Sequence, residues 1–291
     1  MSVGKHPVVA HTQSPSQADP VVVVDGLRVR TATGAVLVDD LSFTLPRGGS
    51  LGLVGESGSG KSLSALSIMR LLPATLTADG RRSVNGRDVG SMSLAELRRM
   101  RGSELGMVFQ DPFTALNPVF TVRSQLAAVI RAHDPSVGRK AVEARAVEAL
   151  ADMGLKEPAR FLDRYPFQLS GGQAQRVAIA IALIPDPDVL IADEPTTALD
   201  VTVQDGILRL LERLRESRQL SLIFISHDLA VVVRLCESLC IMQGGHVVEQ
   251  GATRDVIANP RSDYTKALLA AVPDFSPATR QVPGSATTGR A

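Results

Sequence analysis

Apolar residues recur along the chain in two patterns that predict a sheet flanked by helices. From Val21, four consecutive valines and then LRVR precede a segment in which apolar and polar residues alternate. The apolar positions Leu41, Phe43 and Leu45 fall on one face, which predicts an antiparallel strand pair. Three later runs are short and apolar throughout, as is typical of strands buried on both faces: SLGLV, VLIAD and SLIFIS.

Helical periodicity marks three further segments. LSALSIMRLL follows SLGLV and predicts a helix that Pro73 stops. Between Gln110 and Gln168 β-branched runs become rare, and we predict a helical insertion over roughly residues 111–180. One face of RKAVEARAVEALADMGL consists of Val142, Ala146, Ala149 and Met153. A later helical stripe consists of Ile207, Leu210, Leu211 and Leu214.

The ends of the chain differ from its centre in composition. Residues 1–20 contain one lysine and no apolar stretch of signal-peptide length, which predicts a disordered leader. After Val272 the sequence has little apolar content and three prolines, so residues 274–291 are predicted to be a flexible tail beyond a folded domain at 21–273. The longest apolar runs, such as VAIAIALI, are shorter than the roughly 18 residues of a membrane span, so any membrane role requires a partner.

Composition narrows the fold and the partners. Apolar residues make up 44% of the chain and aromatic residues only 3%, so the core is built from the Val, Leu, Ile and Ala of buried parallel sheets, which favours α/β. A net charge of +1 without a basic run argues against nucleic acid as a partner. Cys236 and Cys240 have no second pair or histidine nearby, which predicts reduced core thiols rather than a metal site, and a cytosolic chain.

A glycine-rich loop follows the SLGLV strand directly. It matches G-x-x-x-x-G-K-[ST] and consists of Gly55, Glu56, Ser57, Gly58, Ser59, Gly60, Lys61 and Ser62. The glycines let successive N–H groups point inward, where they and the positive end of the next helix bind an anion. Lys61 would reach the β- and γ-phosphates, and Ser62 would ligate Mg²⁺. An ordinary glycine–serine turn is the alternative, which the flanking strand and helix disfavour.

Two carboxylates end the apolar run VLIA, as expected where a buried strand reaches the edge of the sheet that also holds the glycine loop. Asp193 is predicted to hold the Mg²⁺ shell, and Glu194 to polarise a water behind the γ-phosphate. Alone, the pair is equally consistent with an acidic cluster at a helix N-terminus. The presence of the glycine loop decides between the two interpretations.

A second glycine motif precedes a long apolar helix, just upstream of DVLIADEP. It consists of Leu169, Ser170, Gly171, Gly172 and Gln173. At a helix N-terminus these residues are predicted to offer free N–H groups and a second phosphate-binding surface, or else merely a helix cap. Three single polar residues complete the set: Gln110 after LGMVF, Asp200 in TTALD, and His227 after SLIFIS. A lone histidine after a strand is more often a surface or capping residue.

In this order and spacing, the motifs resemble the nucleotide-binding domain of ATP-binding-cassette (ABC) proteins. The resemblance implies a P-loop NTPase fold with an antiparallel β subdomain and an inserted helical subdomain, binding ATP and Mg²⁺. It implies catalytic roles for Glu194, His227 as the switch histidine and Gln110 of the Q-loop, with Gln110 also in the Mg²⁺ shell. Leu169 to Gln173 becomes the signature, which meets ATP held by a partner, and Asp200 belongs to the D-loop.

Several segments resemble the peptide/nickel importer branch of that family, over roughly residues 21–273: QDPFTALNP, YPFQLSGG, IADEPTTALDVTVQ, SHDLAVV and NPRSDYTKALLAAVP. The resemblance implies a second ATPase subunit, as a heterodimer or homodimer, two membrane permease subunits and an extracytoplasmic solute-binding protein. The chain would lie peripherally on the cytoplasmic face of the membrane. Dipeptides or oligopeptides are the predicted cargo, with nickel or a metal chelate as the alternative.

Two departures from the family pattern lead to further predictions. Where ABC domains usually stack adenine on an aromatic ring, this chain has Arg30, Thr31, Ala32 and Thr33. We therefore predict weaker adenine selectivity. No cysteine follows Cys240, so we predict that the iron–sulfur cluster of some branch members is absent.

Two other functions are weighed against transport. A soluble ABC ATPase acting on nucleic acid or ribosomes would carry zinc modules, long coiled coils or a second cassette, none of which the sequence contains. A non-hydrolysing regulatory cassette would be expected to have lost Glu194 or His227, and both are present. The sequence therefore favours an ATP-hydrolysing transporter subunit.

Overall fold

The computed structural model describes residues 19–197 and 199–272, and in these ranges ten strands form one mixed sheet. The strands are β1 (Pro20–Thr31), β2 (Val36–Pro46), β3 (Ser50–Val54), β4 (Leu76–Val84), β5 (Arg87–Asp88), β6 (Leu105–Val108), β7 (Val189–Asp193), β8 (Ser221–Ser226), β9 (Ser238–Gln243) and β10 (His246–Ala252). Their order across the sheet is β5-β4-β1-β2-β10-β9-β3-β8-β7-β6.

The sheet has an antiparallel part and a parallel part. β1 pairs antiparallel with β2, as the alternating pattern predicts, and also with β4. β9, β3, β8, β7 and β6 are parallel neighbours in that order. In this register Asp193 lies opposite Ile225, so the carboxyl ends of β7 and β8 meet at one edge of the sheet. The strand that ends at Asp193 is therefore the neighbour of the strand that ends before His227.

The helices are α1 (Lys61–Ile68), α2 (Leu94–Ser103), α3 (Pro112–Ala115), α4 (Val122–His133), α5 (Arg139–Asp152), α6 (Gly171–Leu183), α7 (Val201–Arg218), α8 (Leu229–Leu235), α9 (Thr253–Ala258) and α10 (Asp263–Ala270). Two short 3-10 helices, Pro158–Phe161 and Pro166–Gln168, precede α6. These bounds cover only the described part of the chain.

α1 is shorter than the sequence predicts, because it ends before Pro73 is reached. Its last residue is Ile68, and Arg70 adopts a left-handed backbone with φ 52°. The guanidinium of Arg70 donates a hydrogen bond to the carbonyl of Met92 at 2.6 Å, which fixes this turn. The helix therefore ends where Arg70 makes a tertiary contact, and not at Pro73.

The helical segment between β6 and β7 packs through one face of α5. Val142 and Ala146 are buried as predicted, but Leu150 takes the position that the sequence pattern gave to Ala149, which is only partly buried. Leu150 lies four residues after Ala146, as the 3.6-residue period requires. α6, which continues to Leu183, contributes its own buried face. The exact extent of the insertion stays a prediction, and the predicted leader and tail lie almost wholly outside the described residues.

Two apolar cores lie on the two faces of the parallel strands. Alternate residues of a strand point to opposite faces, so Leu190 and Ala192 of β7 join the core beneath α4 to α8, while Val189 and Ile191 join the core beneath α1 and α2. Among the described residues, no helix combines the length and the apolar character needed to cross a bilayer.

The two cysteines lie in these cores, one in each, as the sequence predicts. Cys236 follows α8 and Cys240 lies in β9, and both are buried and not disulfide-bonded. Burial raises the pKa of the Cys240 thiol to about 12. Both thiols therefore act as small apolar core residues.

Candidate functional site

The glycine loop connects β3, which ends at Val54, to α1, which begins at Lys61. Gly60 precedes the helix with φ +99°, and a Cβ there would lie 2.8 Å from Cγ2 of Val38 and 3.0 Å from the carbonyl oxygen of Leu37. Only glycine satisfies both constraints without displacing β2. No side chain caps the N-terminus of α1. Its first amides are therefore available to an anion.

Lys61 is folded back onto the loop that it follows. Its Nζ donates hydrogen bonds to the carbonyl oxygens of Gly55 at 2.7 Å and Glu56 at 2.8 Å. Burial lowers the pKa of Lys61, while the carboxylates of Glu194 and Asp193 oppose that shift. The ammonium group thus lies beside the amides that are available to an anion. It is held there by carbonyl oxygens, which phosphate oxygens can replace.

Ser62 and Asp193 meet beside Lys61, as the sequence predicts for a Mg²⁺ site. The Ser62 hydroxyl donates to Oδ1 of Asp193 at 2.9 Å. Burial raises the pKa of Asp193, and the Ser62 hydrogen bond opposes this shift. A hydroxyl and a carboxylate side by side are hard oxygen donors that fit Mg²⁺, which usually takes only one or two carboxylates and shares its shell with substrate phosphates and water. In the described ranges no cluster of three or more acidic, histidine or cysteine side chains competes for a metal.

Glu194 is the centre of a hydrogen-bonded group drawn from three segments of the chain. Its Oε2 accepts from Nε2 of Gln110 at 3.2 Å and from Oγ1 of Thr197 at 2.9 Å, and lies 3.2 Å from Nδ1 of His227. Its amide donates to the carbonyl of Ile225 at 3.0 Å. Within the described chain no group donates to Oε1, so one carboxylate oxygen is held by hydrogen bonds and the other receives none there.

The backbone of Glu194 is unusual, because φ is +45° for a residue with a Cβ. Left-handed backbone at such a residue carries strain of about 1–3 kcal/mol and is concentrated at functional sites. Here it turns the chain sharply after β7, so that Asp193 faces the glycine loop and Glu194 faces His227. Two consecutive carboxylates thereby reach two different sets of partners.

Sequence reasoning missed Thr197. Its amide donates to the carbonyl of Glu194 at 3.1 Å, closing a turn whose second residue is Pro195. The signal was present in the sequence, since proline at the second position is typical of such turns and returns the fourth residue to the first. Gln110 lies 3.2 Å from Glu194, while its predicted roles in catalysis and in the Mg²⁺ shell stay predictions.

The predicted signature segment lies at the N-terminus of α6, but two of its amides are not free. The amide of Gln173 donates to Oγ of Ser170 at 3.4 Å, and the amide of Ser170 donates to Oε1 of Gln173 at 3.1 Å. The prediction that the serine and glycine N–H groups are free is therefore wrong for Ser170, because Ser170 forms a reciprocal cap with Gln173. Leu169 is buried in the core, and Gly172 packs so closely on α7 that a Cβ would lie 2.5 Å from Val203.

Asp200 and the threonines after β1 have local partners. Oδ1 of Asp200 accepts from the amide of Val203 at 2.9 Å and caps α7, so its D-loop role stays a prediction. At the end of β1 the hydroxyls of Thr31 and Thr33 lie 2.9 Å apart and close the turn to β2. The weaker adenine selectivity stays a prediction, which competition between ATP and GTP measures.

The loop, the Ser62–Asp193 pair and the Glu194 group come together where neighbouring parallel strands end. Amides and an ammonium group can bind phosphates, hard oxygens can hold a metal, and a carboxylate can act as a base toward water. The arrangement is therefore chemically suited to nucleotide hydrolysis.

Known proteins share this sequence and fold. Residues 38–197 match the ABC transporter family, and residues 248–290 match the C-terminal region of oligopeptide/dipeptide transporters. The "Probable D,D-dipeptide transport ATP-binding protein" of Escherichia coli strain K12 is 46% identical over 239 residues, which are 81% of this chain and 73% of that protein. The "Peptidoglycan transport ATP-binding protein" of Agrobacterium fabrum is 43% identical over 267 residues, and this chain spans about half of its length.

Among solved structures, a dimeric ATP-binding cassette in a post-hydrolysis state with ADP and Pi superposes with a TM-score of 0.70 at 29% identity. The match covers 80% of this chain and 98% of that one. The predicted fold class, with its antiparallel and parallel parts, is confirmed by this likeness. On sequence, fold and site alike, the chain belongs to the ABC transporter family.

Proposed function

We propose that this chain is the ATP-hydrolysing subunit that powers a peptide importer. The observation that carries the proposal is the Glu194 carboxylate, with one oxygen held by three partners and the other receiving no hydrogen bond from the described residues, one residue after the Asp193–Ser62 pair. A structural carboxylate needs no such asymmetry. A general base does, because one oxygen must remain able to accept a proton from the nucleophile.

The residues divide the work of hydrolysis as follows. Loop amides and the Lys61 ammonium hold the β- and γ-phosphates of ATP. Ser62 and Asp193 would hold Mg²⁺, which when bound neutralises the charge on the phosphate oxygens. Glu194 accepts the proton of the attacking water, while His227 and Gln110 keep its carboxylate in place. Gln110 and His227 lie in two separate segments of the chain, and both contact Oε2 of Glu194.

A second ATPase subunit is required if Ser170 to Gln173 are to meet nucleotide. This segment caps its own helix and, in the described chain, hydrogen-bonds to no residue of the glycine loop. The related cassette structure is a dimer, which supports pairing here. We therefore expect the isolated chain to be a poor ATPase, with turnover rising when a partner closes its signature over ATP. Full turnover by a demonstrably monomeric chain would contradict this shared site.

Membrane permease subunits are the partners that an exposed aromatic patch supports. The patch consists of Phe109, Phe113, Val119, Phe120, Tyr165 and Phe167. The two segments that carry it are held side by side, since the amide of Val122 donates to the carbonyl of Arg164 at 2.9 Å. Phe167 is 71% exposed. Covering such an apolar ring with a partner surface removes it from water, which favours association. Phe109 of the patch directly precedes Gln110, and Gln110 donates a hydrogen bond to Glu194. Contact with the permease would therefore be connected to Glu194 through Gln110.

Phe167→Glu tests this docking surface. The variant is expected to bind ATP normally as an isolated chain but to lose association with the membrane subunits in pull-down. A complex that assembles as well as wild type would rule out the patch as the permease contact. Docking of this kind would place the chain peripherally on the cytoplasmic face of the membrane.

Peptide is the proposed cargo, because the C-terminal match is to oligopeptide/dipeptide transporters and a relative bears a dipeptide transport name. The test is reconstitution with the membrane subunits, the second ATPase and the solute-binding protein in vesicles. We expect dipeptides or oligopeptides to stimulate ATP hydrolysis and to accumulate inside. Accumulation of nickel or a metal chelate without peptide would redirect the assignment, and stimulation by nucleic acid would overturn transport altogether.

A further inference from the structure

Tyr264, in the C-terminal helix α10, reaches the glycine loop from 208 positions away in sequence. Its hydroxyl accepts a hydrogen bond from the amide of Glu56 at 3.0 Å. The ring packs against the core beneath α4 to α8, and its surroundings raise the pKa of the hydroxyl by desolvation. The hydroxyl is therefore a neutral, fixed acceptor at the first bend of the loop.

The amide that Tyr264 accepts from belongs to the same peptide unit as the carbonyl that Lys61 holds. The oxygen of Gly55 accepts from Nζ of Lys61 at 2.7 Å, and the N–H of Glu56 donates to Tyr264. In a trans peptide the C=O and the N–H point in opposite directions. Lys61 and Tyr264 thus hold one rigid unit from its two sides.

Lys61 cannot hold this unit throughout the catalytic cycle. When its ammonium turns to the phosphates of ATP, the carbonyl of Gly55 loses its donor, while the carbonyl of Glu56 keeps the amide of Ser59 at 3.2 Å. A peptide unit between a glycine and a loop residue is free to rotate unless a second contact opposes the rotation. Within the described residues, the Tyr264 hydroxyl makes the hydrogen bond that remains to the Gly55–Glu56 peptide unit.

We propose that Tyr264 is a positioning residue for ATP binding, whose hydroxyl keeps the Gly55–Glu56 peptide unit oriented when Lys61 moves to the phosphates. This inference rests on the proposed function. It assigns to the C-terminal helix a role in the nucleotide site, although that helix carries none of the nucleotide-binding motifs. A loop whose first bend is fixed presents its amides in one arrangement, which lowers the entropy lost on binding.

α10 is held firmly enough to serve as the support. The Glu249 carboxylate of β10 accepts from the amides of Arg261 at 2.8 Å and Ser262 at 3.0 Å, just before the helix. Ser262 caps the helix by accepting from the amide of Tyr264 at 3.2 Å. β10 pairs with β9, whose Met242 carbonyl lies so close to Gly55 that a Cβ there would be only 2.1 Å away. The support and the loop therefore share one strand pair.

The test is Tyr264→Phe, which removes the hydroxyl and keeps the ring. Loss of one hydrogen bond is expected to weaken ATP binding to the full chain by about two- to tenfold in calorimetry. In the assembled transporter the KM for ATP should rise by a similar factor with kcat unchanged. By NMR the amide of Glu56 should exchange faster with solvent, while the unfolding temperature without nucleotide stays the same.

Lys266→Gln is the matched control on α10, since among the described residues the Lys266 side chain forms only an exposed ion pair with Asp263. It is expected to leave ATP affinity unchanged. Wild-type ATP affinity in Tyr264→Phe would overturn the proposal, whether or not the protein became less stable. Failure of the wild-type chain to bind ATP at all would instead overturn the proposed function, so the two failures are distinguishable.

Discussion

The N-termini of α1 and α6 both follow glycine-rich segments, yet they are built differently. α1 begins after Gly60, which has left-handed backbone and offers no side chain to cap the helix. α6 begins after Ser170, which is joined to Gln173 in a complete reciprocal cap. The first terminus leaves its amides exposed to a ligand. The second satisfies two of its own amides within the chain.

The difference supports the proposal that a single chain supplies only half of the site. Around α1 the chain adds a lysine, a serine hydroxyl and two carboxylates, which under the proposed function would be the partners of phosphate, metal and water. At the N-terminus of α6, the side chains of Ser170 and Gln173 each accept from the backbone amide of the other residue, and in the described chain they have no other hydrogen-bond partner. A capped terminus is stable in the absence of ligand. This agrees with the proposal that the surface contacts a nucleotide bound to another subunit.

The largest expected effect tests whether the α1 side contains the chemistry. Glu194→Gln keeps the shape of the side chain but removes the base, so turnover in the assembled complex should fall by about 10²- to 10⁴-fold. ATP affinity by calorimetry should remain near normal. Wild-type turnover in this variant would give the carboxylate another role and would remove the basis for the comparison.

Ser170→Ala tests the α6 side. The variant loses one helix cap, which costs about 1 kcal/mol of stability. In the paired complex, loss of one ligand-contacting donor should slow turnover by about 10²- to 10³-fold. ATP affinity of the isolated chain should not change. A fall in that affinity would mean that both helix termini act on the same nucleotide within one chain.

Lys61→Ala tests the α1 side and, unlike Ser170→Ala, should lower the ATP affinity of the isolated chain. Removing a charged donor is expected to weaken ATP binding to the isolated chain by about 10- to 150-fold, while the loop amides remain. Calorimetry of this variant beside Ser170→Ala measures the contrast directly. Equal affinities in wild type and Lys61→Ala would be incompatible with phosphate binding at this loop.

Thr197→Val has a smaller effect and sharpens the role of the Glu194 group. The methyl group cannot donate to Oε2 of Glu194, so the carboxylate loses one of its three partners. We expect kcat to fall by about 3- to 10-fold with little change in KM. Thr197→Ser should restore the rate, because the hydroxyl returns. A rise in KM alone would place Thr197 in nucleotide binding instead.

Asp193→Asn should make the nucleotide-free chain more stable while abolishing Mg²⁺-dependent turnover. Burial raises the pKa of Asp193, so the folded chain binds this proton more tightly than the unfolded chain and loses stability as pH rises through the raised pKa. Asparagine can still accept from Ser62. At neutral pH we expect a gain of about 1 kcal/mol, or about 2–4 °C in unfolding temperature. The gain should shrink in acid, and a constant difference between pH 4 and pH 8 would contradict this cause.

Local patterns predicted much of the fold because they depend on near neighbours in sequence. The β1–β2 pair, the buried parallel strands and the stripe of α7 follow from periods of 2 and 3.6 residues. The glycine loop was evident because eight consecutive residues carry its geometry. The end of α1 at Ile68 was missed, since contacts with Met92, far along the chain, replace the local stop signal.

The sequence by itself determined the phosphate loop, the carboxylate pair and the order of the motifs, because each depends on residues adjacent in the chain. Only the tertiary structure decided which oxygen of Glu194 is held by Gln110 and His227, and that Tyr264 meets Glu56. These contacts join segments whose distance in space no local pattern encodes. They arise when parallel strands from distant segments align their carboxyl ends at one edge and the helices pack around that sheet.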